Sequence, residues 1–245
     1  MTDTLLWIGC TSSFRTIEVA KAAYAALKKL NVPFTYLGSE EGCCGSIFLR
    51  TGMSEVVEQL AARNMAQFKE LRVQRLVTPC AGCYRTFSLD YPQLIEDLPM
   101  EVLHISQLFE ELLPKADLSP LPLKVAYHDP CHLARHCGVY DAPRNALAEI
   151  PGLQLVELPL NREKALCCGA GGGVRAAYPE VALELARQIL EEAARAGAEA
   201  LASSCPFCLL NLREASRSLN GIKIYDITEL VYASLAGGIS HVMVR

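Results

Sequence analysis

A cysteine pattern that occurs twice constrains this chain more than any other feature. The first half reads Cys10, then Cys43-Cys44-Gly45, then Cys80-Ala-Gly-Cys83. The second reads Cys131, then Cys167-Cys168-Gly169, then Cys205-Pro-Phe-Cys208. The two spacings are C-x32-CCG-x34-C-x2-C and C-x35-CCG-x35-C-x2-C, and only Cys137 among the eleven cysteines stands outside them. Repetition at a fixed period marks a repeated structural unit. The segments that follow also correspond, LHISQLFEELL at 103–113 with YDITELVYASL at 225–235.

Strand-length apolar runs are predicted at 5–9, 34–38, 75–79 and 101–105, and again at 124–128, 153–158, 200–204 and 223–227. Helical periodicity covers 17–30, with Val19, Ala23, Ala26, Leu27 and Leu30 on one side, and also 54–71, 106–113 and 179–196. Ser54 and Ser106 are the expected helix caps, and Pro179 fits a first helical turn. Lys28 and Lys29 close the first long helix, where they offset its dipole. Strand–helix alternation predicts an α/β fold of parallel sheets with right-handed crossovers. Three prolines at 114–124 mark the joint, giving two domains at 1–118 and 119–245 related by a pseudo-twofold, each a small parallel sheet flanked by helices.

Within each half the cysteines are expected just past strand ends, which share one edge of a parallel sheet. Helices starting after the CCG and CxxC turns would turn their amides toward the sulfurs. Adjacent cysteines suit one small tetrahedral ion poorly, but they can serve neighbouring metals or bridge two. The glycines of CCGAGGG let backbone wrap closely around a bulky group. Five thiolates per half is one more than zinc or a cubane cluster requires, so an unusual iron–sulfur cluster fits the count best.

Composition narrows the classes. A net charge of −4 with no basic stripe argues against nucleic acid as partner. No apolar run reaches the length of a transmembrane segment. The start, MTDTLLWIGC, does not read as a secretory signal, so a cytoplasmic location is expected. Clustered cysteines in that setting indicate metal or redox chemistry rather than disulfides.

With TPCAGCYRTF, YHDPCHLARH, LCCGAGGG and SSCPFCLLNL, essentially the whole chain resembles the CCG cysteine-rich domain family. This is the domain of the B-type subunit of heterodisulfide reductase, of the C-terminal part of its D-type relative, and of several oxidoreductase components. The resemblance implies two noncubane [4Fe-4S] clusters facing each other across a cleft, where a small-molecule or protein-bound disulfide is reductively split. Carried over by position, Cys10, Cys43, Cys44, Cys80 and Cys83 would hold the first cluster, and Cys131, Cys167, Cys168, Cys205 and Cys208 the second. The CCG pairs Cys43, Cys44, Cys167 and Cys168 would stand at the reacting centre. Zinc at one site is an alternative, since four of five thiolates would satisfy it.

The sequence contains no ferredoxin run, and GAGGGV has no acidic residue placed as a ribose ligand. Electrons are therefore expected from a ferredoxin-type [4Fe-4S] subunit and a flavin-containing donor subunit. His132, or its neighbours His128 and His136, would protonate a leaving thiolate; a structural role bonding Asp129 or backbone is the competing reading. Arg135 and Arg175 would bind an anionic substrate, offset cluster charge, or simply face solvent, and Cys137 reads as a small buried hydrophobe. The leading function is the disulfide-reducing subunit of a heterodisulfide-reductase-like complex. The alternatives are an electron-relay subunit of a quinone-linked lactate, glycolate or glycerol-phosphate oxidoreductase, and a subunit that handles carrier-bound sulfur.

Overall fold

A computed structural model describes residues 2–95, 100–217 and 222–241. The first half runs β1 (Thr4–Leu6), α1 (Cys10–Phe14), α2 (Ile17–Lys29), α3 (Ser46–Arg50), α4 (Ser54–Glu70), β2 (Arg75–Thr78) and α5 (Ala81–Arg85). A π-helical turn at Thr86–Asp90 leads into α6 (Tyr91–Leu94), followed by β3 (Glu101–His104) and α7 (Ile105–Leu112). The second half runs β4 (Leu123–His128), α8 (Asp141–Ala148), β5 (Leu153–Glu157), α9 (Val174–Ala177), α10 (Pro179–Arg195), β6 (Ala200–Ser203), α11 (Pro206–Ser216), β7 (Lys223–Asp226) and α12 (Ile227–Ala236). All strand pairs are parallel, in the orders β1-β2-β3 and β5-β4-β6-β7. The α/β architecture of two similar halves is as expected.

The expected strand at 34–38 does not form. Thr35 makes one parallel rung with β1, its N–H donating to Thr4 O at 3.0 Å and its carbonyl accepting from Leu6 N at 2.8 Å. The chain then turns away through a 3₁₀ turn at Gly38–Glu40. The Glu41 carboxylate takes the next donors along β1, Ile8 N at 2.8 Å and Gly9 N at 2.6 Å. A side chain thus replaces the strand that β5 supplies in the second half, and both sheets keep the same order around that edge.

Helix caps also differ from expectation. The residue before α7 is His104, whose Nδ1 accepts from Ser106 N at 3.2 Å while its own backbone N–H donates to Gln107 Oε1 at 2.9 Å. Asp226 does the same at α12, accepting from Thr228 N at 3.0 Å and donating its backbone N–H to Glu229 Oε2 at 2.8 Å. Strand runs straight into helix at both places, so the last strand residue caps and Ser106 lies inside the helix. Ser54 likewise begins α4, and no side chain caps that helix. Each box satisfies donors that a helix start leaves without partners.

The halves share one core. Val19, Ala22, Ala23, Ala26 and Leu27 form the buried stripe of α2. That helix packs on α12 of the other half, while α7 packs on α8. Leu6, Val77, Ile105 and Phe109 meet Val125, Tyr127, Ala202, Tyr225 and Leu230 in a single buried cluster. Arg213 reinforces the seam, pairing with Glu18 of the first half and, at 2.9 Å, with Glu229. This exchange of helices sets the carboxyl ends of both sheets toward each other.

Two outcomes follow from this packing. Phe109→Ala removes a fully buried ring from the shared core and is expected to cost about 3–5 kcal/mol. Chemical denaturation should show both halves lost in one transition, whereas two separable transitions would contradict a common core. Gly169 has φ +79, and a Cβ there would stand 2.8 Å from Ala182 Cα, while a Cβ on Gly171 meets nothing within 4 Å. Gly169→Ala should therefore lower the melting temperature clearly and Gly171→Ala should leave it nearly unchanged.

Candidate iron–sulfur site

All ten motif cysteines line one cavity of about 710 Å³, part of it open to solvent. Cys10, Cys80, Cys131 and Cys205 sit just past β1, β2, β4 and β6, as the strand-end argument requires. The CCG pairs arrive differently, on loops that reach back over the sheet edges: residues 41–45 follow no strand, and nine residues separate β5 from Cys167. A helix starts directly after the first CCG, at Ser46, but in the second half the glycine loop intervenes before α9.

Backbone amides do face the sulfurs. Gly45 N and Gly169 N lie 3.4 Å from Cys43 Sγ and Cys167 Sγ, and Cys83 N lies 3.4 Å from Cys80 Sγ. Ser46, Ala170 and Cys208 amides serve Cys44, Cys168 and Cys205 in the same way. Six sulfurs in matching positions are thus held by main-chain donors, which favour thiolate. Gly9, at φ +83, makes room beneath: a Cβ there would stand 3.1 Å from Cys83 Sγ. Burial raises the pKa of the Glu41 carboxyl that ties this turn to about 7, even with two N–H donors upon it.

The sulfurs are crowded. Cys168 and Cys208 Sγ are 3.1 Å apart and Cys131 and Cys167 Sγ 4.0 Å apart, yet all eleven cysteines are free thiols. Cys80 of the first half touches Cys205 of the second, so the two quintets adjoin through their CxxC pairs. Hydrogen bonds from Cys43 and Cys83 pull Cys44 well down, those from Cys131 and Cys168 pull Cys167 down, and the partner thiols Cys83 and Cys131 are pushed up by the same contacts. Only some of these sulfurs can ionise together without a cation among them. Ten soft donors, amides aimed at them, and a cavity fit polynuclear iron–sulfur groups better than an isolated ion. A small cation would find a narrower set, a His128 ring nitrogen with Cys168 and Cys208 Sγ, mutually within 4.8 Å.

The three histidines do not converge. His128 is buried against the second quintet. His132 lines the cavity, with Nδ1 3.6 Å from where a Cβ on Gly82 would stand, so it bridges the halves. Burial pushes its pKa down to about 4. His136 stacks edge-on against it at 5.6 Å. None of them hydrogen-bonds Asp129, which holds the Arg144 guanidinium in two bonds of 2.8 and 2.7 Å and accepts from Arg162 N at 2.8 Å.

Arg135 and Arg175 each have partners within the chain. Arg135 donates to the carbonyls of Glu163 and Ala165, bracing the loop before the second CCG. Arg175 pairs with Glu214, and Arg50 with Asp90, matching latches that tie the segment after each CCG to the helical segment after each CxxC. Cys137 is half-buried against the second-half core and does not line the cavity. Lys28 lies over the rings of Tyr24 and Phe34, at 5.7 and 5.3 Å.

Arg50, Glu41 and Arg144 carry roles that their local sequence does not announce. Arg50 and Arg175 stand nearly the same distance after their CCG pairs, which is the one signal that would have exposed the latches.

The CCG cysteine-rich domain model matches this chain twice, over residues 4–88 and 125–213. The D-type subunit of the dihydromethanophenazine:CoB–CoM heterodisulfide reductase of Methanosarcina acetivorans is 40% identical over 235 residues, covering 93% of this chain and 58% of that one. The EtfAB:quinone oxidoreductase of Syntrophomonas wolfei is 32% identical over 246 residues, covering 94% and 34%. This chain thus spans little more than half the length of the first relative and a third of the second. A hypothetical protein from Helicobacter pylori has a similar fold, with a TM-score of 0.64 at 12% identity, over 98% of this chain and 50% of that one. The doubled motif, the duplicated sheet order and both matches agree: the chain belongs to the CCG cysteine-rich domain family.

Proposed function

We propose that this chain is the cluster-bearing subunit of a heterodisulfide-reductase-like complex and cleaves a disulfide reductively. The observation that carries this reading is the single cavity lined by all ten motif cysteines, five from each half, adjoining at Cys80 and Cys205. Each half, 1–118 and 119–245, is read as one CCG domain. Cys10, Cys43, Cys44, Cys80 and Cys83 would hold one noncubane [4Fe-4S] cluster, and Cys131, Cys167, Cys168, Cys205 and Cys208 the other. When bound, these groups supply single electrons and iron to which a substrate sulfur can attach.

The chain's own residues do the rest. Ser46, Ile47 and Arg50 of α3 and Gly171 and Gly172 of the glycine loop line the cavity in which the disulfide would bind. The overall step adds two electrons and two protons to R–S–S–R′, breaking the S–S bond and giving two thiols. His132, on the cavity wall beside Gly82, would relay a proton to a departing sulfur. The electrons come from outside the chain, from a ferredoxin-type [4Fe-4S] subunit fed by a flavin-containing subunit, in a cytoplasmic complex.

A second reading has a specific observation behind it: the similarity to an EtfAB:quinone oxidoreductase, in which this chain would relay electrons without meeting a disulfide. Anaerobically purified protein is expected to hold about eight irons and eight acid-labile sulfides per chain, the sum of two [4Fe-4S] groups. One zinc and no sulfide would overturn both readings. Adding candidate disulfides to the reduced complex should change the cluster EPR signal, and an unchanged signal across them would leave the relay. Cys44→Ser and Cys168→Ser should each lower the iron content by removing a ligand from one quintet.

A further inference from the structure

Beside each quintet a buried ring nitrogen meets no hydrogen-bond partner among the described residues: Trp7 Nε1 in the first half and His128 Nε2 in the second. Trp7 is 0% exposed and His128 1% exposed, so neither ring reaches bulk solvent. His104 Nε2 is also buried, but the Pro79 and Ser204 carbonyls face that ring. A buried donor without a partner is rare in a folded chain, and each instance asks for a missing acceptor.

The two rings occupy one position in the duplicated fold. Trp7 stands three residues before Cys10, and His128 three residues before Cys131. Trp7 directly follows β1 and donates its backbone N–H to Val77 O at 2.9 Å, while His128 ends β4. Trp7 shares a buried cluster with Cys44, Cys80 and Cys83, wedged edge-on against Phe87 at 5.0 Å and Phe68 at 5.8 Å. A ring nitrogen of His128 lies within 4.8 Å of Cys168 Sγ and Cys208 Sγ, the counterparts of Cys44 and Cys83. Cys44 and Cys83 share the buried cluster of Trp7, and their counterparts neighbour His128, so an otherwise unsatisfied ring stands at the same place in each half.

We infer that Trp7 and His128 are paired tuning residues, each donating its ring N–H to sulfur of the group held by its own quintet. This rests on the iron–sulfur reading above. Ligation by His128 is the obvious rival, and the first half argues against it. An indole cannot bind iron through its N–H nitrogen, yet it occupies the corresponding place in the first half, in one buried cluster with Cys44 and Cys83. What tryptophan and histidine have in common there is a rigid, buried donor. Hydrogen bonds to cluster sulfur are among the factors that set the reduction potential. Because a donor stabilises the more negative state, it makes each group easier to reduce. The pair would thus hold both potentials up in a pocket where ten sulfurs push them down.

The test is an EPR-monitored redox titration of the anaerobically purified full chain, with iron and sulfide counted on every sample. Trp7→Phe keeps the aromatic packing and loses only the N–H; His128→Leu loses the imidazole, and His128→Gln retains an N–H. Trp7→Phe is expected to disfavour reduction of one cluster about tenfold, a fall of about 59 mV for a one-electron couple. His128→Leu should do so for the other, and His128→Gln should fall between wild type and His128→Leu. Iron should stay at the wild-type count throughout. In wild-type protein labelled with ¹⁵N at tryptophan and histidine, pulsed EPR should detect a weak coupling to both rings, which needs no variant to fold.

Unshifted potentials at full iron content, or no ¹⁵N coupling, would overturn the inference while leaving the cluster reading standing. Iron lost from His128→Leu together with a strong, directly bonded ¹⁵N coupling would make the imidazole a ligand and overturn it as well. Wild-type protein without iron would remove the cluster reading itself, and this inference with it.

Discussion

Sulfur crowding is the constraint on which the rest of the structure depends. Ten thiols from two sheets line one cavity, some as close as 3.1 Å, and none is joined to another. Neighbouring thiolates repel, and burial makes every additional charge harder to hold. The fold meets that cost with main-chain amides placed on matching sulfurs and, in the proposed function, with iron. The helix exchange between the halves serves the same end. Because α2 packs on α12 and α7 on α8, the carboxyl edges of both sheets turn inward and cannot separate without exposing the common core.

The halves are alike where the cavity is built and unlike where they meet the outside. Both have a glycine with positive φ at the CCG turn, an arginine–carboxylate latch beyond it, and a CxxC whose first cysteine precedes a helix. They diverge at the sheet edge, where Glu41 replaces a strand that β5 provides on the other side. They diverge again in the loop after the CCG, where Gly172 and Gly173 of the second half lie close to Arg50 and Thr51 of the first. The cleft is therefore asymmetric although its sulfur ligands are not. Asp129 and Arg144 lock the base of the second cysteine turn, with Arg144 also reaching Glu157 at 2.6 Å and lying over the Tyr127 ring at 5.1 Å.

Much of this was legible in the chain. The doubled cysteine spacing identified the repeat, the strand–helix alternation identified parallel sheets, and helices such as 179–195 fall within a residue of where periodicity puts them. What stayed hidden has physical causes. The run at 34–38 has strand composition, but a side chain 33 residues from Ile8 competes for the same donors, and no local pattern reveals that. His104 caps α7 because a strand enters the helix without a loop, which makes the serine two residues on look like the better cap. Arg135 and Arg175 are engaged by partners 28 and 39 residues away, so their donors looked available only while those partners were out of view. His128 and Trp7 share a place in the repeat, yet nothing in their chemistry as isolated residues links them.

One geometric statement supports all of the proposed chemistry: two five-sulfur sets, one from each half, gather inorganic iron inside a common cavity. Anomalous scattering from a crystal of anaerobically purified protein, recorded on both sides of the iron edge, tests it directly. The predicted map has two compact iron peaks, one against Cys44 and Cys83 and one against Cys168 and Cys208, on opposite sides of the Cys80–Cys205 contact. A single peak at the zinc edge, iron outside the cavity, or density joining cysteine sulfurs in pairs would contradict it.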